Sequence, residues 1–244
     1  MRTFNFVRFV VAVLLSVSSL VQAQPTEHSA IKPAPRNDKF WQDRAKLLDD
    51  RLKETPDTEL LFIGDSITQG WEGQGAKEVW AKYYAGRKAV NLGIGGDRTQ
   101  HVLWRLEHAP LDGVKPKAAV VMIGTNNSNG DDNTPGQIAE GVAAIVKRLR
   151  ERLPNTKILL LGIFPRGENF NAQRGKVAQV NQVIARLDDG KSVYYLDIGP
   201  KFLANDGILS AEIMPDYLHL SKEGYEIWAA AIEPKLVELL DEKK

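Results

Sequence analysis

Two regularities in this 244-residue sequence predict an α/β fold with a five-stranded parallel sheet covered by helices on both faces. First, five short runs are almost continuously apolar: 59–63 (ELLFI), 88–92 (KAVNL), 118–123 (AAVVMI), 157–163 (KILLLGI) and 193–198 (VYYLDI). Runs of this length without polar alternation suit strands buried on both faces. Second, the intervals between them read as helices long enough to cross back over a sheet, near 76–85, 97–108, 135–153 and 171–188, with 221–240 closing the chain.

Residues 38–54 place Phe40, Trp41, Leu47, Leu48 and Leu52 between charges, an amphipathic helix. Thr55-Pro56 ends it, because a residue before proline avoids the α region. The helix at 135–153 has Thr134 as a cap and Pro135 in its first turn, and Val142, Ile145, Val146 and Leu149 form an apolar stripe beside a charged face. No internal repeat or low-complexity segment interrupts the alternation, so 37–244 reads as one domain with one core.

The N-terminus has a different character. Arg2 and Arg8 give a positive start, Phe9 to Leu15 an apolar centre, and Val21-Gln22-Ala23 a small-residue cleavage site before Gln24. Residues 1–23 are therefore expected to be a cleavable signal peptide, and the protein to be periplasmic or extracellular. Ser16, Ser18 and Ser19 break the apolar stretch short of the roughly 20 residues of a spanning helix, so no stable membrane span is expected. Residues 24–36, with Pro25, Pro33 and Pro35, read as a tether. Losing Arg2 and Arg8 leaves 30 Lys+Arg against 31 Asp+Glu, a formal charge of −1 without like-charge blocks. Nucleic acid is a poor partner for such a chain. With no cysteine, an exported domain must draw its stability from the core alone.

In open parallel sheets ligands bind beyond the carboxyl ends of the strands, and each polar cluster here follows a strand. Gly64-Asp65-Ser66 follows the first run, Gly93-Ile94-Gly95-Gly96-Asp97 the second, Gly124-Thr125-Asn126-Asn127 the third and Pro165-Arg166-Gly167 the fourth. Asp216-Tyr217-Leu218-His219 lies after the fifth. Asp216 and His219 are three residues apart, so one turn can carry both. A carboxylate that fixes an imidazole tautomer, and an imidazole that takes a hydroxyl proton, are the means by which a serine becomes a nucleophile. Ser66 supplies that hydroxyl; capping of the next helix is its other reading. A structural salt bridge is the other reading of the Asp216–His219 pair.

The glycines at 93, 95 and 96 do not form a dinucleotide fingerprint, because Arg98 occupies the place of its last glycine. They read either as a tight turn or as a stretch whose N–H groups can approach a reacting oxygen. Asn126 can donate its amide to the same oxygen, or cap its own loop. Asp131-Asp132-Asn133 lacks the glycine and terminal glutamate of a calcium loop. His28 falls in the tether, while His101 and His108 share a helix with Val102, Leu103, Trp104 and Leu106 and read as packing or surface residues. No histidine-based metal motif occurs, and no metal ligand is assigned.

Gly64-Asp65-Ser66, Gly96, Asn126 and His219 resemble the four blocks of the SGNH (GDSL) hydrolases. The likeness is nearer to the subgroup around the catalytic subunits of platelet-activating-factor acetylhydrolase 1B. It is carried by Asn91–Asp97, His101–Leu106, Gly124–Asn127, Pro165-Arg166-Gly167 and Leu218-His219-Leu220, and extends over residues 40–240. The resemblance implies a flavodoxin-like three-layer α/β/α sandwich. It implies Ser66 as nucleophile, His219 as base and Asp216 as orienting acid. The implied oxyanion hole comprises the backbone N–H groups of Ser66 and Gly96 and the side chain of Asn126. Asp65, Ile67, Tyr217 and Leu218 adjoin these residues and are the candidates for shaping the acyl pocket.

The implied chemistry is hydrolysis of short-chain esters through an acyl-enzyme, with no metal or organic cofactor. Asn127 stands where the wider family usually has Asp, a position that supports the loop. The subgroup's named members pair, so a homodimer is the implied assembly. Together with export, this makes an acetyl ester of a carbohydrate or glycerol derivative the expected small-molecule or glycan substrate. Lysophospholipase or thioesterase activity, and a catalytically silent acyl-glycan-binding module, are the alternatives.

Overall fold

The five apolar runs are strands β1 (Leu60–Gly64), β2 (Ala89–Asn91), β3 (Ala118–Met122), β4 (Lys157–Leu161) and β5 (Val193–Leu196) in the computed structural model, which describes residues 27–242. All pair in parallel, in the order β2-β1-β3-β4-β5. Leu60 sits opposite both Ala89 and Ala118, so β1 is an interior strand with β2 on one side and β3 on the other, and the chain builds outward from it in both directions. The crevice where that direction reverses lies between β1 and β3 at their carboxyl ends.

The helices are α1 (Lys39–Glu54), α2 (Ser66–Gln69), α3 (Ala76–Tyr83), α4 (Thr99–His108), α5 (Pro135–Arg152), α6 (Ala172–Ile184) and α7 (Lys222–Leu239). Thr134 and Gln137 close a reciprocal capping box at the start of α5. The expected helix at 171–188 stops earlier, its end tightening into a 3₁₀ turn at Ala185–Leu187.

Alternate residues of each strand feed two cores. Leu61, Ile63, Val121 and Leu160 face α1, α4, α5 and α6, while Leu60, Phe62, Val120 and Leu159 face α3 and α7. The structure is thus a three-layer α/β/α sandwich. On the α3/α7 side Phe62 lies at the centre of an aromatic cluster, with ring centroids 4.7 Å from Tyr84, 5.0 Å from Trp80, 6.1 Å from Trp71 and 6.3 Å from Trp228. The edge strand β5 is only half-buried beyond Val193, in contrast to the fully buried run expected from its sequence. Asp188 covers part of that edge by accepting the Tyr195 amide at 2.8 Å.

The segment expected as a tether departs most from its sequence reading. From residue 28 onward it packs on the domain: Ser29–Ile31 form a 3₁₀ turn and Ala30 is fully buried. Thr99 Oγ1 donates to Ala30 O at 2.7 Å, Asn133 Nδ2 to Ser29 Oγ at 3.0 Å, and His28 Nε2 lies 2.7 Å from Glu140 Oε2. Three prolines suggested a spacer, yet Ala30 O and Ala34 N are bonded to α4 and the His28 side chain to α5. The expected signal peptide at 1–23 and the start of the tether at 24–26 lie outside the described residues. Among the described residues no helix is long and apolar enough to cross a membrane.

Replacing Phe62 by alanine leaves a cavity among four large rings. Urea unfolding of Phe62→Ala is expected to show a loss of about 3–5 kcal/mol.

Candidate active site

Where β1 ends, Asp65 caps α2 by accepting the Ile67 amide at 3.0 Å, and Ser66 is the first residue of that helix. The strand end therefore delivers the Ser66 hydroxyl, half-buried, to the carboxyl edge of the sheet. The loop before α7 approaches the same point. Asp216 Oδ1 accepts the His219 amide at 2.7 Å and the Leu218 amide at 3.1 Å, an Asx turn that fixes the carboxylate against its own loop. Asp216 Oδ2 lies 2.6 Å from His219 Nδ1, and His219 Nε2 lies 2.9 Å from Ser66 Oγ. With Nδ1 donating to the carboxylate, Nε2 is left as the acceptor for the hydroxyl proton. Tyr217 adopts φ +57°, and its carbonyl accepts the Gly167 amide at 2.8 Å, tying this loop to the one after β4.

The loop after β2 packs onto the Ser66 turn. Asn91 Nδ2 donates to Thr68 O at 2.9 Å, and Gln69 Oε1 accepts the Gly95 amide at 2.7 Å. A β-carbon at Gly93 would stand 2.2 Å from Gln69 N, so only glycine permits this approach. Ile94 O accepts the Asp97 amide at 3.1 Å, and Gly96 has φ +76°, as the third residue of a type II turn requires. The Asp97 carboxylate is buried, held by Trp41 Nε1 at 2.7 Å, Arg105 Nε at 2.9 Å and Arg105 Nη2 at 2.8 Å. From the loop after β3, Asn126 donates one Nδ2 hydrogen to Asp97 O at 2.9 Å, leaving its second for a ligand. Asn127 accepts the Thr99 amide at 2.9 Å and donates to Asn133 Oδ1 at 3.0 Å, the loop-supporting place expected for it.

Two carboxyls beside Ser66 have opposite electrostatics. Burial, helped by the charge of Asp97, pushes Asp65 up to about 7 against the pull of the Ile67 amide, His219 and its own backbone amide. At Asp216 burial also raises the pKa, but the His219 ring and two amides outweigh it and hold the carboxyl below its ordinary value. Asp216 is thus ionised across the neutral range.

The structure brings Ser66, His219 and Asp216 into one hydrogen-bonded chain, with the Gly96 loop and Asn126 docked beside it. It places two of the four pocket candidates elsewhere. Asp65 and Ile67 are 0 % and 1 % exposed: Asp65 is buried as the cap of α2, and Ile67 packs in the α3/α7 core. Tyr217 and Leu218 keep partial exposure next to His219. Arg166 Nη1 contacts Thr125 O, Thr125 Oγ1 and Asn129 Oδ1 at 3.1–3.2 Å, bracing the Asn126 loop from the loop after β4. Sequence reasoning noticed Arg166 but assigned it no part, and it missed Arg105, Gln69 and Arg36. Several of their partners are backbone atoms (Leu92 O, Gly64 O, Gly95 O and Gly95 N), which leave no sequence signal.

A cavity of about 670 Å³ among the described residues is not lined by Ser66, Asn126 or His219. It lies across the 165–169 loop, between Ile163, Phe170, Val177, Tyr195, Leu203 and Ile208.

The Asp65 shift has a sign that can be measured. A carboxyl raised from 3.8 to about 7 keeps in the folded protein a proton that the unfolded chain releases, so its contribution to stability falls as pH rises through that window. Above it the burial penalty is complete. Asp65→Asn removes the titration while keeping the acceptor for Ile67. Its stability relative to the parent is expected to improve from about pH 4 to about pH 8 in denaturant unfolding. A pH-independent difference is the contrary result.

The comparisons with known proteins agree with this architecture. Residues 62–227 match the GDSL-like lipase/acylhydrolase family. Human platelet-activating factor acetylhydrolase IB subunit alpha1 is 39 % identical over 218 residues, 88 % of this chain and 92 % of that protein. Among solved structures, a GDSL-like lipase from Bacteroides thetaiotaomicron has a TM-score of 0.61 at 18 % identity, covering 80 % of this chain and 97 % of its own. Est24, a carbohydrate acetylesterase from Sinorhizobium meliloti, has a TM-score of 0.60 at 20 % identity, covering 75 % and 100 %. Both share the sandwich described above. With the family match covering most of the domain and the human relative aligned nearly end to end, this chain belongs to the GDSL-like lipase/acylhydrolase family and is a carboxylic ester hydrolase.

Proposed function

We propose that this protein is an exported esterase that removes short acyl groups, acetyl foremost, from a carbohydrate or glycerol derivative. The observation that carries the catalytic part is the continuous link from Asp216 Oδ2 through both His219 nitrogens to Ser66 Oγ, at 2.6 and 2.9 Å. Ser66 attacks the ester carbonyl while His219 Nε2 takes its proton. Asp216 holds the ring in the required tautomer and stabilises the imidazolium. The oxyanion is received by the N–H groups of Ser66 and Gly96 and the second Nδ2 hydrogen of Asn126. His219 then protonates the departing alcohol, and afterwards takes a proton from the water that releases the acid from Ser66.

Several features support a short acyl group on a bulky polar alcohol. Gly96 and Asp216 are exposed, so the site is open to a large leaving group on the solvent side. The apolar cavity of about 670 Å³ does not include the triad residues in its lining, so it offers no groove for a long acyl chain starting at Ser66. The human relative is by name an acetylhydrolase, and Est24 is by name a carbohydrate acetylesterase. Export rests on residues 1–23, and pairing into a homodimer on the resemblance alone.

Ser66→Ala is expected to lower hydrolysis of p-nitrophenyl acetate by roughly 10⁴-fold or more. Asn126→Ala is expected to cost roughly 10²–10³ in kcat, the worth of one oxyanion donor. Undiminished hydrolysis by Ser66→Ala would contradict Ser66 as nucleophile, whereas a parent protein without hydrolysis above background would leave a binding module as the better reading. On a chain-length series, acetate esters should be turned over faster than decanoate, and a reversed order would favour the lysophospholipase alternative. Expression with the full N-terminus should yield an exported protein beginning at Gln24.

A further inference from the structure

The oxyanion side of this site has a support outside the triad and its donors. The carbonyl of Gly95 and the N–H of Gly96 belong to one peptide unit. That unit is planar with its C=O and N–H pointing in opposite directions, so whatever fixes the carbonyl also aims the hydrogen. Arg36 Nη1 donates to Gly95 O at 2.6 Å. The guanidinium is itself fixed, with Nε donating to Asp38 Oδ2 at 2.9 Å and Nη1 lying 3.8 Å from Asp97 Oδ1. Its side chain is 23 % exposed. The fit around Gly96 is equally close, since a β-carbon there would stand 3.0 Å from Arg36 Nη1.

A cation on a carbonyl does more than orient. Hydrogen bonds along a peptide polarise one another, so a charged donor at the C=O strengthens the N–H as a donor at the other end. That gain is realised when negative charge develops on the substrate oxygen, in the transition state rather than in the bound ester.

We propose that Arg36 is a positioning residue of the oxyanion hole, acting through the 95–96 peptide to aim and polarise the Gly96 N–H. This inference rests on the reading of Gly96 as an oxyanion donor. Arg36 touches no substrate in this scheme. The stretch before it belongs to the same device: Ala30 is buried against α4 and α5, and Ala34 N donates to Gln100 O at 3.2 Å, two residues before the arginine. Residues 28–36 thus form a strap that holds one charge over the oxyanion loop.

The test uses Arg36→Gln and Arg36→Lys in the full chain, with Ser66→Ala beside them. Rates on p-nitrophenyl acetate are compared with inhibition by a trifluoromethyl ketone, which forms a tetrahedral oxyanion on the serine. Arg36→Gln is expected to lose about 10- to 100-fold in kcat, with KM moving less than about threefold. The ketone's inhibition constant should rise by the same factor as kcat/KM falls. Lysine, which keeps the charge but not the planar fork, should recover part of the loss. Should the glutamine variant not fold, the lysine variant carries the same comparison, with a smaller kcat loss and a matching rise in the inhibition constant expected. Parental kcat and ketone affinity in the folded Arg36 variants, with Ser66→Ala inactive, would overturn the role of Arg36 while leaving the triad in place. A kcat loss with unchanged ketone affinity would overturn it as well. Activity retained by Ser66→Ala would overturn both.

Discussion

The site depends on one buried carboxylate. Asp97 binds Trp41 from α1 and Arg105 from α4, and Arg105 continues to Leu92 O at 2.9 Å and Gly64 O at 3.3 Å. One ion pair therefore joins the ends of β1 and β2 to two helices of the same layer. Burial pushes the Asp97 carboxyl above its ordinary range, against the pull of Arg105 and Trp41. A buried charge of this kind is tolerated only with nearly every lone pair engaged, which makes the surrounding loop geometry strict. The Asp97 amide closes the turn that contains Gly96, and its carbonyl receives Asn126. The donors proposed for the oxyanion are thus anchored to a node deeper than the site itself.

Around that node the chain separates its two other acids by environment. Asp65 is enclosed and pushed toward neutrality, and its task is to cap the helix that presents Ser66. Asp216 sits at the surface, kept ionised by the ring and amides it serves. Opposite shifts in neighbouring carboxyls are the usual mark of distinct roles, here turn-building for Asp65 and, in the proposed mechanism, orienting the base for Asp216. The arrangement also explains why the hydroxyl can stand at the tip of a four-residue helix. Gln69, Asn91 and the close approach at Gly93 clamp that helix to the next loop.

Much of this was legible in the sequence, for physical reasons. Strands buried on both faces must be continuously apolar, so runs such as AAVVMI declare themselves. Asp216 and His219 were readable because their interaction is local, three residues apart. Gly96 and Asn126 were readable as possible donors from their places after strands, and the resemblance chose that reading over a tight turn and a loop cap. The strap at 28–36 was not readable. Its proline content is that of a spacer, and its hold on the domain runs through Ala30 O, Ala34 N and Gly95 O, backbone atoms that every sequence possesses. Arg36 lies 59 residues from its carbonyl partner, beyond any periodicity. The inward turn of Ile67 was equally hidden, since it follows from its packing in the α3/α7 core, a long-range contact.

The central claim is that Ser66 is the activated nucleophile of an ester-hydrolysing site. Its most direct test is stoichiometric labelling with an organophosphate such as diethyl p-nitrophenyl phosphate, followed by peptide mass mapping. The account predicts one diethylphosphoryl group on Ser66, formed in step with the loss of esterase activity and abolished in His219→Ala. Inactivation with the label on another residue, or full activity with Ser66 modified, would contradict it.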